Sequence, residues 1–266
     1  MSERVIGHPA IRGATVTGSV GAGRAVARLA GEYLKPSVLE LGGSDPFVVL
    51  ADCDLEDAVE QAVRARTINS GQSCIAAKRF VVESAIYEEF VERFKEGLDE
   101  LQVGDPMDEQ TDVGPMARGD LRDELHRQVT ESIEKGARCL LGGEIPEGDG
   151  YFYPPTLLVD CTDGMPAFDE ETFGPVAAVI QVRDADEAVA VANHSRFGLG
   201  ASVWTGSRNR GVELARRIEA GHVSVNGIVK SDPRLPFGGI KESGYGRELS
   251  HHGIEEFVNK KTVWVG

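Results

Sequence analysis

Cysteine and positive charge are both scarce in this chain, and each scarcity closes off a class of protein. Four cysteines (Cys53, Cys74, Cys139 and Cys161) are scattered over 266 residues with no CxxC pair. A disulfide framework needs denser, regularly spaced thiols, so reduced thiols are expected. The six histidines show no metal-ligand spacing, and no metal site is expected. No run approaches the roughly 18 apolar residues of a membrane-spanning helix, and the N-terminus carries no secretory pattern. Twenty-eight basic residues face 43 acidic ones, a net charge of −15, and only eight of the basic residues are lysines. That balance repels nucleic acid and anionic membranes alike. A soluble cytoplasmic protein with neither partner is expected.

What is present is an alternation of short apolar runs with amphipathic stretches. Residues 14–17 predict a strand and Gly18-Ser19-Val20-Gly21-Ala22-Gly23 a tight turn. A helix follows, with Val26, Ala27, Ala30 and Leu34 on one face, until Lys35-Pro36 ends it. Strands are predicted at 38–41 and 47–50, and Asp54 caps a helix with Glu56 and Asp57 in its first turn. Downstream, strands at 80–82, 139–141, 176–182, 201–204 and 223–225 alternate with helices. One helix is striped by Ile86, Phe90, Phe94 and Leu98, the next by Leu121, Leu125, Val129 and Ile133, and two more span 184–193 and 208–219. This alternation predicts α/β architecture: a mostly parallel sheet flanked by helices.

Two reactive side chains stand out between residues 38 and 78. Cys74 lies in Gly71-Gln72-Ser73-Cys74, where small neighbours leave room for a substrate and backbone amides would lower the thiol pKa. Glu40 ends the strand at 38–41, 74 − 40 = 34 residues earlier. A strand-end carboxylate and a thiol beyond a helix can converge as base and nucleophile. Each has a second reading. A lone cysteine is commonly a small buried hydrophobe, which suits the apolar contexts of the other three. Glu40 also lies 40 − 18 = 22 residues past Gly18, near the position about 20 residues on where a dinucleotide fold places its ribose-binding acid. The turn at 18–23 is spaced GxxGxG rather than GxGxxG, and suits a phosphate cradle or a plain strand–helix turn equally. The glycine-dense loop at 236–248 reads either as pressed against a backbone or ligand, or as a structural loop. Glu170-Glu171-Thr172-Phe173-Gly174-Pro175 alone reads as a surface turn.

Taken in order, five blocks resemble the aldehyde dehydrogenase superfamily across nearly the whole chain. They are Thr17-Gly18-Ser19, Glu40-Leu41-Gly42-Gly43, Gly71-Gln72-Ser73-Cys74, Glu171-Thr172-Phe173-Gly174-Pro175 and Pro236-Phe237-Gly238-Gly239. The resemblance implies oxidation of an aldehyde to a carboxylic acid with NAD or NADP. Cys74 would attack the aldehyde, and Glu40 would activate the water that hydrolyses the resulting thioester. Glu171 would hold the nicotinamide ribose, Phe173 would line the nicotinamide pocket, and Gly18 and Ser19 would face the pyrophosphate. Gly43-Ser44-Asp45-Pro46 and Val229-Lys230-Ser231-Asp232-Pro233-Arg234 are similar to a bacterial and archaeal group of succinate-semialdehyde dehydrogenases. Better-known enzymes of that activity carry a carboxylate-binding arginine six residues before the cysteine. Ile68 stands there in this chain, so Arg234 or Lys230 is the expected substitute.

The resemblance also implies an order of parts. Residues 1–42 would be a remnant of a Rossmann-like dinucleotide-binding domain, 43–250 the catalytic domain and 251–266 a C-terminal tail. Family members begin well upstream of the Thr-Gly-Ser turn, with an oxyanion asparagine, an adenosine-ribose lysine and one arm of an oligomerisation hairpin. The expectation is a C-terminal portion of such an enzyme, as a homo-oligomer or completed by an upstream polypeptide. The Cys74 N–H would be its remaining oxyanion donor. Two rival expectations remain: a catalytically silent assembly module, and a thiol esterase using Cys74 and Glu40 without hydride transfer.

Overall fold

The computed structural model describes residues 2–266. The chain opens with α1 (Ser2–Ile6), β1 (Ala14–Thr17), α2 (Val20–Glu32) and β2 (Ser37–Glu40), followed by β3 (Pro46–Val49) and α3 (Leu55–Thr67). Next come β4 (Arg79–Glu83), α4 (Tyr87–Asp99), α5 (Gly119–Glu134), β5 (Arg138–Leu141) and β6 (Thr156–Val159). The last third holds α6 (Pro166–Asp169), β7 (Val176–Val182), α7 (Ala185–Asn193), β8 (Gly200–Trp204), α8 (Arg208–Arg217), β9 (His222–Val225), β10 (Gly244–Tyr245) and α9 (Ser250–Glu255).

The larger sheet has seven strands in the order β5-β6-β7-β4-β3-β8-β9. Only the β5–β6 pair is antiparallel, so the expected mostly parallel α/β sheet is what the chain builds. Strands buried on both faces read as unbroken apolar runs, and all four residues of β3 are buried. Successive side chains point to opposite faces. Phe47, Val49, Phe80 and Val82 therefore meet α3 and α4, whereas Val48, Leu50 and Val81 meet the layer built by α5, α6, α7 and α8. On the first face Phe80 packs against Phe94 with ring centroids 4.7 Å apart, and Phe47 stacks on Trp204 at 5.2 Å. Burying each such ring contributes roughly 1.5–3 kcal/mol. Asp54 caps α3 by accepting from the Asp57 amide, as its sequence suggests.

The smaller sheet pairs β1 with β2 in parallel, and β10 adds antiparallel to the other edge of β2. The loop at 236–248 is thus pressed against backbone: Gly244 pairs with Glu40 and Tyr245 with Leu39.

Two helix faces differ from the sequence expectation. Helix α2 stops at Glu32, and Leu34 is 94 % exposed with a left-handed φ of 53°, not on the buried face. The chain must turn there to enter the extended Lys35-Pro36 step. In α5 Ile133 is 40 % exposed, while Gln128 and Ser132 are buried. A strict four-residue step drifts around a helix of 3.6 residues per turn, so its far end leaves the core face. Among the described residues no helix is long and apolar enough to cross a membrane.

Candidate active site

Glu40 is the last residue of β2. Its backbone is held between Thr17 of β1 and Gly244 of β10, which pins the side chain inside, 4 % exposed. Neither carboxylate oxygen has a hydrogen-bond partner among the described residues. Burial pushes its pKa up to about 7; the Glu248 charge adds to the rise and Arg247 opposes it. A carboxylate poised near neutrality with free lone pairs is what a general base requires.

Cys74 arrives by a sharp turn. After α3 ends, Asn69, Ser70 and Gly71 take left-handed φ values of 53°, 55° and 72° in succession. Gly71 is obligatory, because a Cβ there would stand 2.3 Å from the Gly174 carbonyl oxygen. Arg66 is fully buried and donates to the carbonyls of Gly71 (2.9 Å) and Val176 (3.2 Å), gripping the turn from the sheet side. Lys78, also fully buried, donates to the carbonyls of Ser73 (3.1 Å), Cys74 (3.0 Å) and Ala76 (2.9 Å). The Cys74 N–H has no acceptor among the described residues.

The expected lowering of the Cys74 pKa is not what the surroundings produce. Burial pushes the thiol above its ordinary value; Lys78 opposes this, Asp45 and Glu171 reinforce it, and the Ile75 amide opposes it. The amide effect predicted from sequence exists, but desolvation outweighs it. The thiol therefore rests protonated at neutral pH and needs a proton acceptor to react.

Glu170 and Glu171 split their duties. Glu170 faces outward to Arg127 (2.8 Å) and Gln128 (2.9 Å) of α5. Glu171 turns inward, where its Oε1 accepts from the Gly43 amide at 2.9 Å and lies 3.9 Å from the Lys78 ammonium. Gly42 makes room: a Cβ there would come within 2.3 Å of Glu171 Oε2. The loop 236–248 braces the same crossing, since Ser243 Oγ donates to the Gly42 carbonyl at 2.7 Å.

These residues line one cleft of about 550 Å³, walled by Thr17, Gly18, Ser19, Glu40, Gly42, Gln72, Ser73, Cys74, Leu121, Glu171 and Phe173 among others. Six positions marked in the sequence meet there: Cys74, Glu40, Gly18, Ser19, Glu171 and Phe173. Ser19 caps α2, accepting from the Ala22 amide, so the helix N-terminus with its free amides opens at the cleft mouth. Arg234 and Lys230 are not brought in. Arg234 forms a two-pronged ion pair with Asp232 and is 84 % exposed at its side chain, and among the described residues no lysine or arginine lines the cleft. Sequence reasoning missed Leu121, Lys78, Arg66 and the buried Asp45; a charged residue inside an apolar run, as in Ala76-Ala77-Lys78-Arg79-Phe80, was the available signal. Among the described residues no cluster of histidine, cysteine or carboxylate groups could hold a metal ion.

Fold and cleft together define a class: an α/β protein with a thiol and a buried carboxylate in one pocket beside an anchored acid and an aromatic ring. The chain belongs to the aldehyde dehydrogenase family, whose sequence profile it matches over residues 1–263. It is 53 % identical over 262 residues to the Escherichia coli succinate semialdehyde dehydrogenase [NAD(P)+] Sad, covering 98 % of this chain and 57 % of that protein. It is 50 % identical to a Mycobacterium avium succinate-semialdehyde dehydrogenase [NADP(+)], covering 99 % of this chain and 56 % of that one. The solved succinic semialdehyde dehydrogenase of Streptococcus pyogenes in complex with NADP+ superposes with a TM-score of 0.96 at 36 % identity, over 99 % of this chain and 58 % of that one. The chain thus spans a little over half the length of these relatives.

Proposed function

We propose that this chain carries the catalytic half-site of an NAD(P)-dependent aldehyde dehydrogenase acting on succinate semialdehyde. The observation that carries the reading is that Cys74, Glu40, Glu171 and Phe173 line a single cleft although they come from four separate segments. The names of the relatives support both the substrate and the cofactor.

The residues present fit a dinucleotide. Glu171 has one oxygen committed to the Gly43 amide, and no donor bonds the other among the described residues, so that oxygen suits a ribose hydroxyl. Phe173 offers a flat apolar wall for a nicotinamide ring, and Gly18 and Ser19 present a helix N-terminus to the pyrophosphate. When bound, the cofactor would take up the hydride from the substrate carbon.

The chain's own groups supply the rest. Cys74 Sγ bonds to the aldehyde carbon as its proton passes to a base, and the free Cys74 N–H faces the resulting oxyanion. After hydride loss the substrate is a thioester on Sγ. Glu40 then takes a proton from water as the water oxygen attacks that carbon; the C–S bond breaks and the acid leaves. General-base help of this kind is worth about 10²–10⁴ in rate. Burial of both groups strengthens each electrostatic interaction in the cleft.

We read residues 1–42 as the part that meets the dinucleotide, residues 43–250 as the catalytic domain and 251–266 as a tail. Val263, Trp264 and Val265 are 76 %, 89 % and 85 % exposed, apolar surface suited to a homo-oligomer or a completing polypeptide. A cytoplasmic setting agrees with four unpaired thiols. The test is NADPH or NADH formation on addition of succinate semialdehyde, with and without Cys74→Ala. Aldehyde-dependent reduction that the substitution abolishes supports the reading; reduction that survives it rejects Cys74 as nucleophile.

A further inference from the structure

We propose that Lys78 is a positioning residue for Cys74: its buried ammonium orients the two peptide units around the thiol and supplies the positive charge that favours the thiolate. The proposal rests on the reading of Cys74 as the nucleophile.

Geometry carries it. In a trans peptide the carbonyl and the following N–H point in opposite directions. Lys78 Nζ holds the Ser73 carbonyl at 3.1 Å, which turns the N–H of Cys74 away from the lysine. It holds the Cys74 carbonyl at 3.0 Å, which turns the N–H of Ile75 away likewise. The first of these amides is the free one, and the second is the amide that stabilises the ionised thiol. The third bond, to Ala76 at 2.9 Å, closes the clamp. Lys78, with the Ala76 amide that shares the Ser73 carbonyl at 3.2 Å, therefore sets the direction of both peptide N–H groups flanking the thiol.

A fully buried lysine is costly to keep, and an apolar residue of similar length would avoid that cost. Its surroundings show what the charge faces. The groups acting on Lys78 are Glu171, Arg66, Asp45 and Cys74, two carboxylates and one guanidinium besides the thiol. Arg66 is already spent on the carbonyls of Gly71 and Val176. Of these charged groups, Lys78 alone among the described residues hydrogen-bonds Cys74, through its carbonyl. Its effect on the thiol opposes that of Asp45 and Glu171, and the thiol favours the charged lysine in return. Burial brings the Lys78 pKa down to about 8, so the clamp is cationic at neutral pH and weakens above it.

The experiment is alkylation of the chain by iodoacetamide as a function of pH, read at each cysteine by peptide mass spectrometry, for the wild type and Lys78→Met. Cys53, Cys139 and Cys161 serve as internal references. Loss of the ammonium is expected to slow alkylation at Cys74 about tenfold near neutral pH and to move its profile to higher pH, leaving the references unchanged. A folded Lys78→Met chain with an unaltered Cys74 profile overturns the proposal. Should the variant not fold, ε-13C-lysine NMR of the wild type decides. One of the eight lysines should titrate near 8 and shift on alkylation of Cys74, whereas eight lysines titrating near their ordinary value would overturn the proposal. Neither readout needs aldehyde oxidation. A slowed Cys74 in a chain that reduces no cofactor would uphold Lys78 while removing the dehydrogenase reading.

Discussion

The Gly43 amide donates to Glu171 Oε1 at 2.9 Å across 128 residues of chain, joining the glutamate-strand segment to the acidic turn before β7. Next to that bond, Gly42 lies so close to Glu171 Oε2 that a Cβ would stand 2.3 Å from it. Two adjacent glycines thus admit a charged side chain against the backbone, one by lacking a Cβ and the other by donating.

Gly42→Ala should therefore expel the Glu171 carboxylate. Overpacking of this kind costs about 1–3 kcal/mol. A urea titration should show a lower midpoint, and NADPH titrated by its fluorescence should bind more weakly than to the wild type. Unchanged values in both would mean that Glu171 is not held at that crossing.

Glu40 gives a pH prediction with a definite sign. Its pKa stands at about 7 in the folded chain against an ordinary 4.5, so the folded state binds more protons across that interval. The stability it contributes is full below pH 4.5 and is lost as pH rises through 7. Glu40→Gln should flatten this dependence and leave the variant more stable at pH 8, by on the order of 3 kcal/mol. Thermal melts of both proteins across pH 5–8 read this directly; parallel curves would contradict it. Hydrolysis assisted by Glu40 should rise about tenfold per pH unit up to 7 and then level off.

The aromatic face of the large sheet offers a test of the packing. Phe80 is fully buried, with Phe94 at 4.7 Å and Phe47 at 5.3 Å between ring centroids. Phe80→Ala should cost about 3–5 kcal/mol by chemical denaturation. A loss below about 1 kcal/mol would show that the face repacks freely.

Arg234 is expected to be dispensable. Its ion pair with Asp232 lies at the surface, where solvent screens it and it contributes little. If the chain acts on succinate semialdehyde as proposed, Arg234→Ala should leave the Michaelis constant within twofold, where a carboxylate-binding arginine would raise it by about tenfold or more. A large rise would return Arg234 to the substrate site.

The strands with strong apolar runs, β3, β4, β7 and β8, were legible because burial on both faces leaves little else for their residues to do. Strand β6 was not, since Pro154-Pro155 and a glycine-rich loop precede its four apolar residues and no helix pattern abuts them. The two-residue β10 has no periodicity to read at all; its pairing with Leu39 and Glu40 is set by the fold. At the site, Cys74, Glu40, Glu171 and Phe173 carried ordered neighbours that marked them. Lys78 and Asp45 had no such ordered neighbours, and the charge set inside the apolar run at 76–80 was the one local sign of Lys78. Arg234 failed to join the cleft for the complementary reason. A positive charge near a matching block says nothing about which way its side chain faces, and Asp232 two residues away captures it.

The most direct test of the thiol–carboxylate pair is acylation by p-nitrophenyl acetate, which needs no cofactor. The ester should acetylate Cys74, and Glu40→Gln should let the acetyl group accumulate there by slowing its hydrolysis about 10²–10⁴-fold, visible as a burst of nitrophenolate and one added acetyl mass on the peptide containing Cys74. An acetyl group on a different residue, or equal turnover in wild type and Glu40→Gln, would contradict the account.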